Sequence, residues 1–350
     1  VNTRTLTFRS QLKGELDDFL KDEGVECSRT CSALVAFAAS LASYKEEGIS
    51  LSPEVFFCDS VEEIAQFLPS SDFHRLGNGP QEDTTIRSAL KECAPLARGG
   101  WSIFVERGDP TTFQYGVIAS ADVPFSLTLE EAIIGDTSES EIFALLIRRV
   151  AENCVEIRGS NGHARCVFFS DLRYDSPNPA QTLATLARVL TSAVEGAGRD
   201  RTRRFLERCL FDSLNRSHGA LIAVMSARRK KLPTKLRDAV QLDHPIDLVE
   251  RVENFHKYGD SQSVARLESA SALIEGMLAS DGILIARTDG LIIAYRGFLQ
   301  QSKTEAGTRI VGGSRRRTFG GLTQLVSKND LVAAFFRSQD GDTEISEVTP

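Results

Sequence analysis

The sequence lacks most of the features that would place it at once. No apolar tract is long enough to cross a bilayer: the longest run, Ala33 to Ala42, is roughly half of what a spanning helix needs and is interrupted by Ser40. The opening residues, VNTRTLTFRSQLKGELDDFL, mix charge with apolar side chains and have no unbroken apolar core of the secretory kind. A cytoplasmic protein without membrane association is therefore expected. Positive charge is not in excess. The formal net charge is -7, whereas binding along a phosphate backbone needs a positive surface, so general nucleic-acid binding is not expected. The seven cysteines, Cys27, Cys31, Cys58, Cys93, Cys154, Cys166 and Cys209, include no CxxC pair and sum to an odd number. Reduced, mostly buried thiols fit this better than a disulfide frame or a zinc site. His74, His163, His218, His244 and His256 are scattered without ligand spacing, and each reads most simply as a surface or hydrogen-bonded side chain. Absence of a GxSxG elbow and of a GxxxxGK[ST] loop disfavours a serine hydrolase and a P-loop enzyme.

What is present is a chain of 350 residues, 41% hydrophobic and 25% charged, long enough for two ordinary domains with a core in each. Leu12, Leu16 and Leu20 recur at helical spacing, and Ser32 to Tyr44 is rich in alanine, so residues 10 to 45 are expected to be helical. A strand is expected at Glu54 to Cys58, then a helix opened by Ser60 with a capping box. Pro69 to Thr84 is polar and contains glycine, which predicts a loop. A helix over Thr85 to Leu96 leads into strands at Trp101 to Glu106 and Gln114 to Ala119, joined by Arg107-Gly108-Asp109-Pro110. Ser126 to Ile134 and Glu141 to Arg149 have helical periodicity. Cys154 to Arg158 and Arg165 to Phe169 read as strands around the turn Gly159-Ser160-Asn161-Gly162.

Asp175-Ser-Pro-Asn-Pro is the first strong boundary signal. Beyond it, Leu183, Leu186, Leu190 and Val194 mark one helix, and Phe205, Cys209, Leu210 and Leu214 a second. The apolar run Gly219-Ala-Leu-Ile-Ala-Val224 follows at once, as expected of a strand in a sheet covered on both faces. Arg228 to Lys257 is charged and poorly periodic and reads as a surface excursion, with Arg228-Arg229-Lys230-Lys231 either solvated or at the mouth of a cleft. Asp260 or Ser261 caps a helix striped by Val264, Leu267, Ser271, Ile274 and Leu278. Strands at Ile283 to Ala286 and Leu291 to Tyr295 then hinge on Thr288-Asp289-Gly290.

Two short motifs stand out in this half. Asp281-Gly282 precedes a buried strand, where a carboxylate can stay wet, although Asp-Gly alone is ordinary turn chemistry. Gly312-Gly313-Ser314 gives the backbone room ahead of Arg315, Arg316 and Arg317 at the start of an expected helix. Three arginines alone are commonly a solvated charge run. Guanidinium groups beside helix-terminal N–H groups also make a phosphate site.

In their order, Gly219-Ala220-Leu221-Ile222, then Asp281-Gly282-Ile283, then Gly313-Ser314-Arg315-Arg316-Arg317-Thr318, the motifs resemble those of the diadenylate cyclase (DAC) domain family. The resemblance covers about residues 196 to 350 and sets the expected division of an α/β protein. Residues 196–350 would form a DAC-like domain, a mixed twisted β-sheet flanked by helices, and residues 1–195 an N-terminal α/β regulatory domain sensing a signal. It implies condensation of two ATP into cyclic di-AMP, with Mg²⁺ or Mn²⁺ accompanying ATP. Asp281 would position the metal and the attacking ribose hydroxyl, while Arg315 and Arg317 would hold the triphosphate. Gly282, Ile283, Gly313, Ser314, Arg316 and Thr318 would complete the nucleotide contacts. Each protomer would supply half of the reacting site, so a face-to-face homodimer is implied. The chain departs from the family pattern at Arg316, in place of histidine, at Ser314, in place of threonine, and at Ser338-Gln339-Asp340, in place of Ser-Glu-Glu. The alternative is therefore a DAC-like pocket that senses an adenine nucleotide or a cyclic dinucleotide without turnover. Helix 85 to 96, the following hairpin, and Gly159 to Arg165 also loosely echo the order seen after Ser261. Either the first half is a diverged duplicate, or ordinary α/β patterning gives the same impression.

Overall fold

The structure, a computed structural model, describes residues 8–25, 28–46, 48–67, 72–108, 111–120, 143–151, 153–161, 163–169, 178–300, 313–339 and 341–348. The chain divides into two compact units, Val1–Leu172 and Arg173–Pro350, each an α/β arrangement with a mixed sheet. The division falls at the edge of the Asp175-Ser-Pro-Asn-Pro segment rather than after residue 195. The cause is the helix Pro179–Leu190, whose buried Leu183, Leu186 and Leu190 pack within the second unit. Among the described residues, no helix is long and apolar enough to cross a membrane.

The first unit opens with α1 (Phe8–Asp22) and α2 (Ser28–Leu41), followed by a small ribbon of β1 (Lys45–Glu46) and β2 (Ile49–Ser50). Next come β3 (Val55–Cys58), α3 (Val61–Ala65), β4 (Phe73–Pro80), α4 (Asp83–Cys93), β5 (Trp101–Glu106), β6 (Thr112–Ala119), β7 (Ala144–Ala151), β8 (Cys154–Gly159) and β9 (Ala164–Phe168). The sheet order is β4-β6-β5-β3-β7-β8-β9, with β3 and β5 parallel and the other pairs antiparallel. All four residues of β3 are buried, as a central strand covered on both faces requires. Ser60 caps α3 as expected, its Oγ accepting from the Glu63 N–H.

Two expectations fail here. Residues 73–80 form an edge strand rather than a loop, and their mostly exposed side chains explain why no apolar alternation marks it. Arg75 ties that edge inward through Glu62 and the buried Glu106, at 2.5 and 3.0 Å. Residues 144–151 form a strand beside β3 rather than a helix. Leu145 and Ile147 lie in one core and Leu146 in the other, so burial on both faces makes an apolar run without strand periodicity. The helix expected over residues 126–134 lies outside the described residues.

The second unit comprises α5 (Pro179–Leu190), α6 (Gly198–Arg216), β10 (Ala220–Met225), a 3₁₀ turn (Thr234–Leu236), β11 (Val240–Asp247), α7 (Leu248–Tyr258), α8 (Ser261–Ala279), β12 (Ile283–Arg287), β13 (Leu291–Gly297), α9 (Ser314–Ser327), β14 (Ala333–Arg337) and β15 (Thr343–Glu347). Its sheet runs β11-β13-β12-β10-β14-β15, with β10 and β12 parallel and the rest antiparallel. Leu221, Ala223, Ile283, Ile285, Ala334 and Phe336 share a core with Phe319, Leu322, Leu325 and Val326 of α9. Asp260 caps α8 by accepting from the Ser263 N–H, and its carboxyl is held below the usual range by that bond. The stretch from Arg228 to Lys257 is no surface excursion. It contains the edge strand β11, again mostly exposed, and α7, capped by Asp247 and ended by Gly259 in the left-handed region.

The thiols conform to expectation among the described residues: Cys31, Cys58, Cys93, Cys154 and Cys209 are buried, Cys166 is half-buried, and none is in a disulfide. Cys27 lies outside them. Burial pushes the thiol of Cys93 up to about 12 and that of Cys209 up to about 11. Both are protonated and covered at pH 8. Alkylation with iodoacetamide should leave Cys93 and Cys209 unmodified in the native protein and modify both in denaturant, as read by peptide mass spectrometry.

Candidate functional site

The site is built where β10 and β12 begin. Because these neighbours are parallel, their first residues lie at one end of the sheet, and β14, antiparallel to β10, ends there. α8 stops at Ala279, and Ser280 leaves it in extended conformation, its Oγ donating to the Met277 carbonyl at 2.7 Å. Gly282 then turns the chain into β12 with φ +113°, where a Cβ would lie 2.7 Å from the Arg296 Cα. Only glycine fits such a turn. Gly219, ahead of β10, has φ +98° and presses against the Arg337 carbonyl in the same way. These turns leave Asp281 outside the core, its side chain 84% exposed.

α9 delivers the arginines to this end of the sheet. Arg315 donates from Nη1 to the His218 carbonyl at 2.7 Å, and its Nη2 lies 3.4 Å from Asp281 Oδ1. Carboxylate and guanidinium, separated by 34 positions in sequence, thus converge on one open surface. As a stability contribution the pair is small, about 0–1 kcal/mol for an exposed contact. It leaves both groups accessible to a polyanion. Gly313 provides no side-chain cap for α9, and a Cβ there would meet nothing within 4 Å. Among the described residues, nothing caps the first-turn N–H groups, where the positive end of the helix dipole lies.

The three arginines do not act as one cluster. Successive helical residues are rotated by about 100°, so the side chains fan out. Arg316 turns to Glu344, with its guanidinium 5.8 Å from the Phe336 ring centre, and lines a cavity of about 490 Å³ with Thr182, Phe319 and Thr323. Arg317 is exposed, and its side chain has no hydrogen bond or ion pair among the described residues. Ser314 is exposed, and the Thr318 hydroxyl donates to the Ser314 carbonyl at 3.1 Å. The Ile283 side chain is buried in the core, so only its backbone can face a ligand.

Two participants escaped the sequence reading. His218 enters through its carbonyl, which no side-chain motif announces. Glu344 is the carboxylate set against the arginine run, whereas Asp340 and Gly312 lie outside the described residues. The basic run is not at this mouth: it follows the far end of β10, where Arg229 holds Asp330 at 2.8 Å. Among the described residues, no group of three or more His, Cys, Asp or Glu side chains is placed to hold a metal. Asp281 is a lone exposed carboxylate, which suits Mg²⁺ or Mn²⁺ carried by phosphate oxygens rather than a resident ion.

The turn at Gly282 carries the geometry. Gly282→Ala should lower stability by about 1–3 kcal/mol through left-handed strain and the clash with Arg296. Gly276→Ala, in the last turn of α8 with open space around it, should raise stability by about 0.5 kcal/mol. Urea midpoints of the two variants should move in opposite directions. Set against family models, curated proteins and solved structures, the chain matches none of them.

Proposed function

We propose that the second unit is an adenine-nucleotide site that condenses two ATP into cyclic di-AMP, under control of the first unit and in the cytoplasm. The observation that supports this reading most is Arg315, bound to the His218 carbonyl and beside Asp281 at the first turn of α9. In this reading Arg315, Arg317 and the α9 N–H groups hold the triphosphate. Ser314 and the backbone of Gly282 and Ile283 line the nucleotide. Asp281 orients the ribose 3′-hydroxyl of one ATP towards the α-phosphorus of the other. The 3′-oxygen forms a bond to phosphorus as the bond to pyrophosphate breaks, and the proton leaves to solvent. Repeating the step from the second ribose closes the ring, so two ATP give one cyclic di-AMP and two pyrophosphates. Mg²⁺ or Mn²⁺ bound to the phosphates would neutralise charge developing on the leaving group. The site is symmetric in its reactants, so a face-to-face homodimer brings two of them together.

A second reading, a sensor that binds adenine nucleotide or cyclic di-AMP without turnover, is favoured by one feature: the Arg316 guanidinium is committed to Glu344. The two readings part in one assay. With ATP and Mn²⁺, the protein should yield cyclic di-AMP, with specific activity rising with protein concentration as the dimer forms. Asp281→Ala and Arg315→Ala should each lower turnover by about 10²–10³-fold, and Arg315→Lys should not restore it, because the fork of donors is lost. Tight ATP binding without product would support the sensor. Neither binding nor product would end both readings.

A further inference from the structure

The two units share one plan. Each begins with a helix pair, α1 on α2 and α5 on α6, and then lays down an interior strand, β3 or β10. The second strand of each, β4 or β11, goes to the far edge. A helix leads to a third strand, β5 or β12, parallel to the first, and that helix packs on the second member of the opening pair, α4 on α2 and α8 on α6. A hairpin strand, β6 or β13, fills the gap between the third strand and the edge. The fifth strand, β7 or β14, lies antiparallel on the other side of the first, and the sixth, β8 or β15, hairpins onto it. Order and sense agree at all five pairings, β4-β6-β5-β3-β7-β8 against β11-β13-β12-β10-β14-β15.

The handedness agrees as well. Val55, Ile103 and Ile147 stand abreast across three strands and share a core with α1, α2 and α4. The Ile103 N–H points at β3, donating to the Glu54 carbonyl, and the Thr288 N–H, in line with Leu284, points at β10, donating to the Met225 carbonyl, so Ile222, Leu284 and Phe335 form the equivalent rung. Their neighbours Leu221, Ile283 and Phe336 face α9, so alternation turns this rung to the other face, where α8 packs. Connection rules reduce the possible topologies to a handful, but they do not require order, sense and helix-bearing face to coincide in two unrelated units. Among the described residues, the elements without a counterpart are the β1–β2 ribbon, α3 and β9 in the first unit and the 3₁₀ turn, α7 and α9 in the second.

The ends equivalent to the candidate site differ. The turn into β5 is Gly99-Gly100, both with positive φ and without a carboxylate, where the turn into β12 is Asp281-Gly282. At that end Arg149 donates to Ser52 Oγ, and Arg148 reaches Glu156 at 2.9 Å and Glu54 at 3.7 Å.

We infer that the chain is a tandem repeat of one fold in which the first copy carries Gly99-Gly100 in place of the Asp281-Gly282 turn, leaving a single adenine-nucleotide site per chain. The repeat stands on topology alone, and the count of sites rests on the nucleotide reading above. Equilibrium dialysis of the full chain with a non-condensing ATP analogue and Mn²⁺ tests it. The expected result is one equivalent bound per chain, and none in Asp281→Ala/Arg315→Ala. Two equivalents per chain, or one that survives in the double variant, would place a working site in the first copy and overturn the inference while nucleotide binding stood. No binding by the unaltered chain would remove the nucleotide reading and the site count together. A crystal structure of the full chain should superpose residues 55–159 on 220–347 strand for strand, and a different strand order in either half would overturn the repeat.

Discussion

The parallel ladder between β10 and β12 is the constraint on which the second unit depends. Two parallel neighbours start at the same end of a sheet, so whatever precedes them in sequence is brought together regardless of the 61 positions separating Ala220 from Asp281. A crossover through β11, α7 and α8 makes that ladder possible, and α8 covers the face it creates. Gly219 and Gly282 finish the work at the end of the ladder. Each takes positive φ where a side chain would strike backbone, and each lets the chain turn sharply enough to keep the preceding polar residue, His218 or Asp281, in water.

The site is an exposed arrangement on a buried scaffold. The stabilising part is the apolar sheet and the α9 face, with Phe319, Leu322, Leu325 and Val326 against β10, β12 and β14. The contact between Arg315 and Asp281 adds little to stability, since water screens it. Its role is positional. One face of α9 is fixed by the core, so the orientations of Arg315, Arg316 and Arg317 follow from helical geometry: one towards Asp281, one onto Glu344, one outward.

Much of the fold was legible where local chemistry and burial agree. Ser60 and Asp260 announced helix starts, the apolar run before Val224 announced an interior strand, and Thr288-Asp289-Gly290 announced a hairpin. Edge strands were not legible. β4 and β11 turn mostly polar residues to water along their length, so the alternation that betrays a half-buried strand is missing. β7 failed for the opposite reason, being buried on both faces.

Local chemistry set which groups were on offer: a carboxylate beside a glycine that only a turn accommodates, and three arginines opening an apolar-striped helix. Tertiary structure alone decided which of them meet. Arg315 reaches Asp281 because the β10–β12 ladder and the packing of α9 bring remote segments to one end of the sheet. Arg316 goes to Glu344, a partner supplied by β15, which no local pattern announces. The common plan of the two units was only loosely echoed in the sequence, through helix 85 to 96 and its hairpin, while Gly159 to Arg165 falls at the β8–β9 turn and matches nothing at the start of α9. Strand order is set by long-range pairing, and side-chain identities can drift while hydrogen-bonded ladders and buried faces persist.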